Sequence, residues 1–233
     1  MDFIGYLNAL DHNLMVFLNH DGGTWADMFW FQYSKMATWF PTALMLLTMT
    51  TLRFRHNWRK LLLMVGMIAL CVLFTDQISS GLIKPWAARF RPSHDPLIQG
   101  LLHYVNGYHG GKYGFTSSHA SNSWGLVMLF MLMFKGTFYR LTLAVFALGN
   151  CWSRIYLGVH FPGDIVGGTV IGILVGWGIY RLWLYLSSLP AFSRYDTELS
   201  IHEDQSYALH PWPVTATYWL TVLTMAVAFA IPS

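Results

Sequence analysis

Hydrophobic positions in this chain come in long runs, without the polar face that returns every third or fourth residue in a water-facing helix. A helix needs about 20 apolar residues to cross a hydrocarbon core about 30 Å thick. Six stretches approach that length: roughly 25–52, 60–83, 118–134, 141–157, 163–186 and 214–231. The third and fourth are short and are expected to extend into polar flanks. Residues 1–20 are also apolar, but Asp2, Asn8, Asp11, His12 and Asn13 interrupt them, which predicts an interfacial helix and not a span. Polar residues collect in two loops, 84–117 and 187–213. No internal repeat and no low-complexity tract is present. The pattern predicts an all-α fold: a polytopic membrane helical bundle of about six transmembrane helices with an N-terminal interfacial helix. It reads as a single membrane-embedded domain over 1–233.

Composition supports the bilayer as solvent. Of 233 residues, 55% are hydrophobic, 17% aromatic and 11% charged, and the mean hydropathy is +0.41. Soluble domains carry about 25% charged residues. A net charge of +3 is too small to suggest nucleic acid as a partner. Cys71 and Cys151 each sit in an apolar run and read as small core residues without a disulfide. The start, Met1-Asp2, lacks the basic segment of a cleavable signal peptide, so the spanning helices are expected to target the chain.

The basic residues orient the bundle. Arg53, Arg55, Arg59 and Lys60 join the first two runs, Lys135 and Arg140 join the third and fourth, and Arg181 and Arg194 follow the fifth. These links are expected in the cytoplasm, with both termini and the 84–117 loop outside. Lys84, Arg89, Arg91, Lys112 and Arg154 then lie on the side that cations avoid, which invites a functional explanation.

Three polar clusters fall at these outward helix ends: Lys84 to Pro92, Thr116-Ser117-Ser118-His119, and Ser153 to Asp164. Lys84, Arg91 and Arg154 can neutralise a phosphate, and the planar guanidinium matches phosphate oxygens. Ser117 can cap a helix whose first amides hold an anion. His119 and His160 allow a nucleophile and a proton donor. Asp164, four residues beyond His160, can accept a hydrogen bond from Nδ1, leaving Nε2 to attack. Phosphoryl transfer is mostly positioning and charge stabilisation, and this inventory asks for no metal and no cofactor. A two-metal site would need more carboxylates than Asp164.

Each residue also has a structural reading. Asp164 suits a helix N-terminus, Ser117 suits a cap, and Lys84 and Arg154 suit interface anchors. Their order, spacing and shared side favour a phosphate site. The clusters resemble the signature of the type 2 phosphatidic acid phosphatase superfamily: Lys, six residues, Arg-Pro; Pro-Ser-Gly-His; and Ser-Arg, five residues, His, three residues, Asp. The first and third parts match in full, while Thr116 and Ser118 replace the usual Pro and Gly of the second. The resemblance spans about residues 76–170. It implies that His160 attacks phosphorus, Asp164 orients it, and His119 protonates the leaving oxygen and then activates water. It also implies that Lys84, Arg91, Ser117, Ser118 (through its backbone) and Arg154 hold the phosphoryl oxygens.

Other residues are less specific. Asp76, inside the second run, is expected to support the cations from behind through a basic partner, or else to make a polar helix contact. His94, His103 and His109 are irregularly spaced without Cys, which favours a mobile loop over the site and not a metal centre. Gly163, Gly167, Gly168, Gly172, Gly176 and Gly178 form small-xxx-small patterns that predict tight helix packing, with dimerisation the lesser reading and oligomeric state left open. The expected function is hydrolysis of a lipid phosphate or pyrophosphate at the outer face of the cell (inner) membrane, undecaprenyl pyrophosphate first, then phosphatidylglycerophosphate or lipid A phosphate. A lipid-to-lipid phosphotransferase shares the site, and a lipid transporter is the rival from another class.

Overall fold

The computed structural model describes residues 3–194 and 211–230. Its helices are α1 (Phe3–Leu18), α2 (Gly23–Tyr33), α3 (Phe40–Arg53), α4 (Trp58–Asp76), α5 (Lys84–Ala87), α6 (Ser118–Met133), α7 (Thr137–Tyr156), α8 (Pro162–Ser188), α9 (Pro190–Ser193) and α10 (Trp212–Ala230). Of the loop expected over 187–213, residues 195–210 lie outside the described residues.

Three described helices are long and apolar enough to cross a membrane: Trp58–Ala87, Pro162–Ser188 and Trp212–Ala230. The first joins α4 to α5 through a wide π-helical segment, Gln77–Ile83. With 16 residues, α6 is about 24 Å long. In α7, buried Asn150 and Arg154 dilute the apolar run. Six spans is therefore more than helix length and composition establish.

The uninterrupted helix expected over 25–52 is corrected to α2 and α3, joined by a 3₁₀ turn at Met36–Trp39. Pro41 explains the break, because its ring would strike the carbonyl of Ala37 in a continuous helix. Side chains take over the freed carbonyls. Thr38 Oγ1 donates to Gln32 O at 2.7 Å, Trp39 Nε1 to Tyr33 O at 2.8 Å and Ser34 Oγ to Phe31 O at 2.8 Å.

α6 is central, packed on α4, α7 and most closely on α8. α6 and α8 run parallel from the same end. Glycines set their separation: a Cβ on Gly168, Gly172 or Gly176 would collide with the carbonyl oxygens of Ser117, Ser121 and Gly125 respectively. The two helices thus match turn for turn, at a spacing of four residues on each. Buried Met64, Met67, Val127, Leu129, Phe134 and Tyr139 fill the end of the bundle far from the N-termini of α6 and α8. The outside is apolar and open, with Leu62, Phe74, Val166, Leu174, Leu148 and Leu220 all exposed, as lipid contact requires.

Gly172→Ala should lower the melting midpoint in detergent, since its Cβ would lie 2.5 Å from the Ser121 carbonyl oxygen and 2.8 Å from the Trp124 Cβ. Overpacking of this kind costs about 1–3 kcal/mol. Gly178→Ala on the same helix meets nothing within 4 Å and should be neutral or slightly stabilising.

Candidate active site

Four chain ends meet at one end of the bundle: the starts of α6 and α8, the end of α7 and the end of α5. The Ser117 amide donates to Asp164 O at 3.0 Å, tying the starts of α6 and α8 together. Two positive helix ends therefore share one small volume. Ser117, fully buried, caps α6 by accepting from Ala120 N at 3.5 Å. The amides of Ser118 and His119 have no partner among the described residues and remain available to an anion.

His160 lies in the turn between α7 and α8. Gly158, at φ +73°, makes that turn beneath the Tyr104 ring, which would sit 3.0 Å from any Cβ placed there. His160 is 1% exposed, and its Nδ1 is 3.2 Å from Asp164 Oδ2. Asp164 is fully buried in the first turn of α8. Its Oδ2 also accepts from Phe161 N at 3.1 Å, and its Oδ1 accepts from Arg89 Nη1 at 3.0 Å. Burial, and then the charges of Arg91, Arg154 and Lys84, hold the His160 pKa well below the ordinary histidine value. The ring is neutral and carries the lone pair an attack requires.

The cations surround this pair. Arg154 is 2% exposed, donates from Nη1 to His119 Nε2 at 3.3 Å, and has a buried Nε without a partner among the described residues. A guanidinium only donates, so His119 Nε2 is unprotonated in this state. Arg91 is steered by two backbone carbonyls, Tyr113 O at 3.0 Å from Nε and Val159 O at 3.5 Å from Nη1. Gly110 and Gly114 allow its approach, since a Cβ on either would press on the Arg91 side chain. Lys84 Nζ donates to Ser118 Oγ at 3.1 Å.

Ser118 is thus more than a substitute for glycine. Its hydroxyl also meets Ser80 Oγ at 2.6 Å, and Ser80 donates to Asp76 Oδ1 at 3.3 Å. Asp76 supports Lys84 through two hydroxyls and has no basic side chain as a direct partner among the described residues. The π-helical segment makes this possible, because its wider turn sets Ser79 against Thr116 and Ser80 against Ser118.

The 84–117 loop is fastened at many points. Arg91 N donates to Lys112 O and Gly114 N to Arg89 O, at 3.0 and 2.9 Å. His12 pairs with Asp95 at 2.9 Å, Ser93 Oγ donates to His109 O at 2.6 Å and Asn19 accepts from His103 N at 2.7 Å. His103 also meets Asp27, 2.8 Å away, and Asp27 accepts from Tyr156 OH at 2.6 Å. His103 thus meets a carboxylate, whereas His94 Nδ1 and the His109 carbonyl share the Ser93 hydroxyl. Arg89 and Asp11 carry no motif position and were not singled out for the site. The available signal was the Arg89-Phe90-Arg91 alternation, which in extended chain puts both guanidinium groups on one face.

A model of the PAP2 superfamily matches residues 60–188, more than half of the chain. Two proteins named lipid A 4'-phosphatase are similar over most of both lengths. The one from Porphyromonas gingivalis is 37% identical over 78% of this chain and 77% of its own. The one from Bacteroides thetaiotaomicron is 34% identical over 76% and 78%. The fold resembles a crystal structure described as a transmembrane PAP2-type phosphatidylglycerolphosphate phosphatase from Bacillus subtilis, with a TM-score of 0.59 and 19% identity over 79% of this chain and 89% of that one. The fold and the family match together make this chain an integral membrane enzyme of the PAP2 superfamily, a hydrolase of lipid phosphomonoesters.

Proposed function

We propose that the chain hydrolyses the 4'-phosphate of a lipid A-type glycolipid through a phosphohistidine at His160, at the outer face of the inner membrane. The substrate rests on one observation: both relatives above 30% identity over more than two thirds of their length bear the name lipid A 4'-phosphatase. Those names support a phosphomonoester over undecaprenyl pyrophosphate, the first expectation from the sequence. Undecaprenyl pyrophosphate and phosphatidylglycerophosphate are the runners-up, with transfer to a second lipid as the variant chemistry.

The arrangement of the site supports the following roles. Lys84, Arg91, Arg154 and the free amides of Ser118 and His119 bind the phosphoryl oxygens. Asp164 accepts from His160 Nδ1, so that Nε2 attacks phosphorus as the bond to the sugar oxygen breaks. His119 Nε2, unprotonated while it accepts from Arg154, takes up a proton when the anionic phosphate displaces that guanidinium, gives it to the sugar oxygen, and then takes one from the water that cleaves the N–P bond. The incoming phosphate replaces the Arg154–His119 contact and gives the idle Arg154 Nε an acceptor. Asp164 stabilises the positive charge on the phosphorylated ring.

Three tests follow. Purified enzyme with a chelator, given lipid A, phosphatidic acid, phosphatidylglycerophosphate and undecaprenyl pyrophosphate, should release phosphate fastest from lipid A. Faster release from the pyrophosphate would reinstate the runner-up. His160→Ala should lower kcat at least about 10³-fold, while His119→Ala should let an acid-labile phosphoprotein accumulate on quenching. The third test is stability. Unfolded His160 takes a proton near pH 6.5, and the folded ring resists it to well below that. The unfolded state therefore binds more protons as the pH falls past 6.5, and stability drops in that direction. Wild type should lose up to about 1.4 kcal/mol per pH unit there that His160→Gln does not lose.

A further inference from the structure

The interfacial helix α1 sends one carboxylate into the site. Asp11 is 8% exposed. Its Oδ2 accepts from Arg89 Nη2 at 2.7 Å and its Oδ1 accepts from Gly163 N at 2.8 Å. Gly163 permits the approach, since a Cβ there would lie 2.5 Å from Asp11 Oδ2. Arg89 then reaches Asp164 with its other nitrogen at 3.0 Å, and its guanidinium lies 4.2 Å from the centre of the Phe161 ring. The result is a continuous chain: Asp11, Arg89, Asp164, His160. None of the three family motifs includes Asp11 or assigns Arg89 a role.

Resting on the reading of His160 as nucleophile, we infer that Asp11 and Arg89 are positioning residues that hold Asp164 for His160 and keep it from the phosphate-binding cations. The physical case has two parts. A buried carboxylate beside Lys84, Arg91 and Arg154 would be drawn to them and would compete with the phosphate for their charge. Arg89, locked between two carboxylates and an aromatic face, occupies Asp164 Oδ1 and leaves Oδ2 for the imidazole. Two carboxylates and one guanidinium also sum to one negative charge. That matches the single positive charge His160 gains when Nε2 is phosphorylated. Lysine cannot replace Arg89, because bridging two carboxylates takes the planar fork.

The interfacial helix is well fixed to deliver this carboxylate. Asn19 donates to Ile155 O at 3.1 Å and Tyr156 O at 2.7 Å, at the end of α7, and Met15 is fully buried against Ala120, Cys151, Phe161 and Ile165. The seating of α1 on the membrane-facing end of the bundle is therefore linked, through Asp11, to the orientation of the nucleophile.

The test is steady-state kinetics of full-length Arg89→Lys and Asp11→Asn in detergent micelles, with phosphatidic acid as probe. Each variant's melting midpoint is measured alongside. Arg89→Lys should lower kcat about 10–100-fold and Asp11→Asn about tenfold, with KM within about threefold of wild type, because both act on the orientation of His160 and not on phosphate binding. The double variant should be no worse than Arg89→Lys alone, since both residues act through one link. Quenched-flow trapping should show slower formation of the phosphoprotein. Unchanged kcat in both variants would overturn the inference, and so would a rise in KM at constant kcat, which would make Arg89 a phosphate ligand. If Arg89→Lys does not fold, Asp11→Asn, which keeps size and shape, decides alone. His160→Ala in parallel separates the two claims: residual full activity there removes the phosphohistidine reading, whereas its loss beside active Arg89→Lys and Asp11→Asn removes only the relay.

Discussion

The close parallel packing of α6 on α8 is the constraint from which the site follows. Three glycines on α8 let it lie against the backbone of α6, so the two helices start at the same level. That alignment allows Ser117 N to bond Asp164 O. It also sets His119, one residue into α6, beside the turn that carries His160. A bilayer offers no hydrophobic gain for bringing helices together, so small residues and van der Waals contact must do it. The same glycines that hold the bundle therefore set the spacing of the two histidines.

Charge organises the rest. Three cations and two helix N-termini converge at a partly buried place, where a positive charge lacking an anion is costly. The protein meets this with a divided set of partners. Arg89 is neutralised inside the protein by Asp11 and Asp164, whereas the hydrogen-bond partners of Lys84, Arg91 and Arg154 among the described residues are neutral: a serine hydroxyl, backbone carbonyls, an imidazole and the Tyr108 phenol. The unsatisfied Arg154 Nε is the clearest mark of the difference. A site left short of negative charge in this way favours a dianionic phosphoryl group, and the neutral imidazole of His160 meets it without repulsion.

The apolar flank of the site accounts for a lipid substrate. Exposed Leu82 lies just before Lys84 and exposed Val166 just after Asp164, so a headgroup can reach the cations while its tails stay among acyl chains. The 84–117 loop covers the other side and is held by hydrogen bonds from α1 and α2.

The local chemistry was legible in the order of residues alone. Long apolar runs required helices in a membrane, because no water-facing surface can be built from so few charges. The fixed spacings within Lys84–Pro92 and Ser153–Asp164 marked the residues that the fold brings together, since four residues from His160 to Asp164 bridge a turn and a helix start whatever the rest of the fold does. What depends on distant partners was not legible. The hydroxyl link from Asp76 to Lys84 and the bridge from Asp11 through Arg89 to Asp164 join residues tens to about 150 positions apart. Periodicity and spacing describe only what lies within a few turns of chain. Which carboxylate meets which cation across that separation is decided by the packing of whole helices.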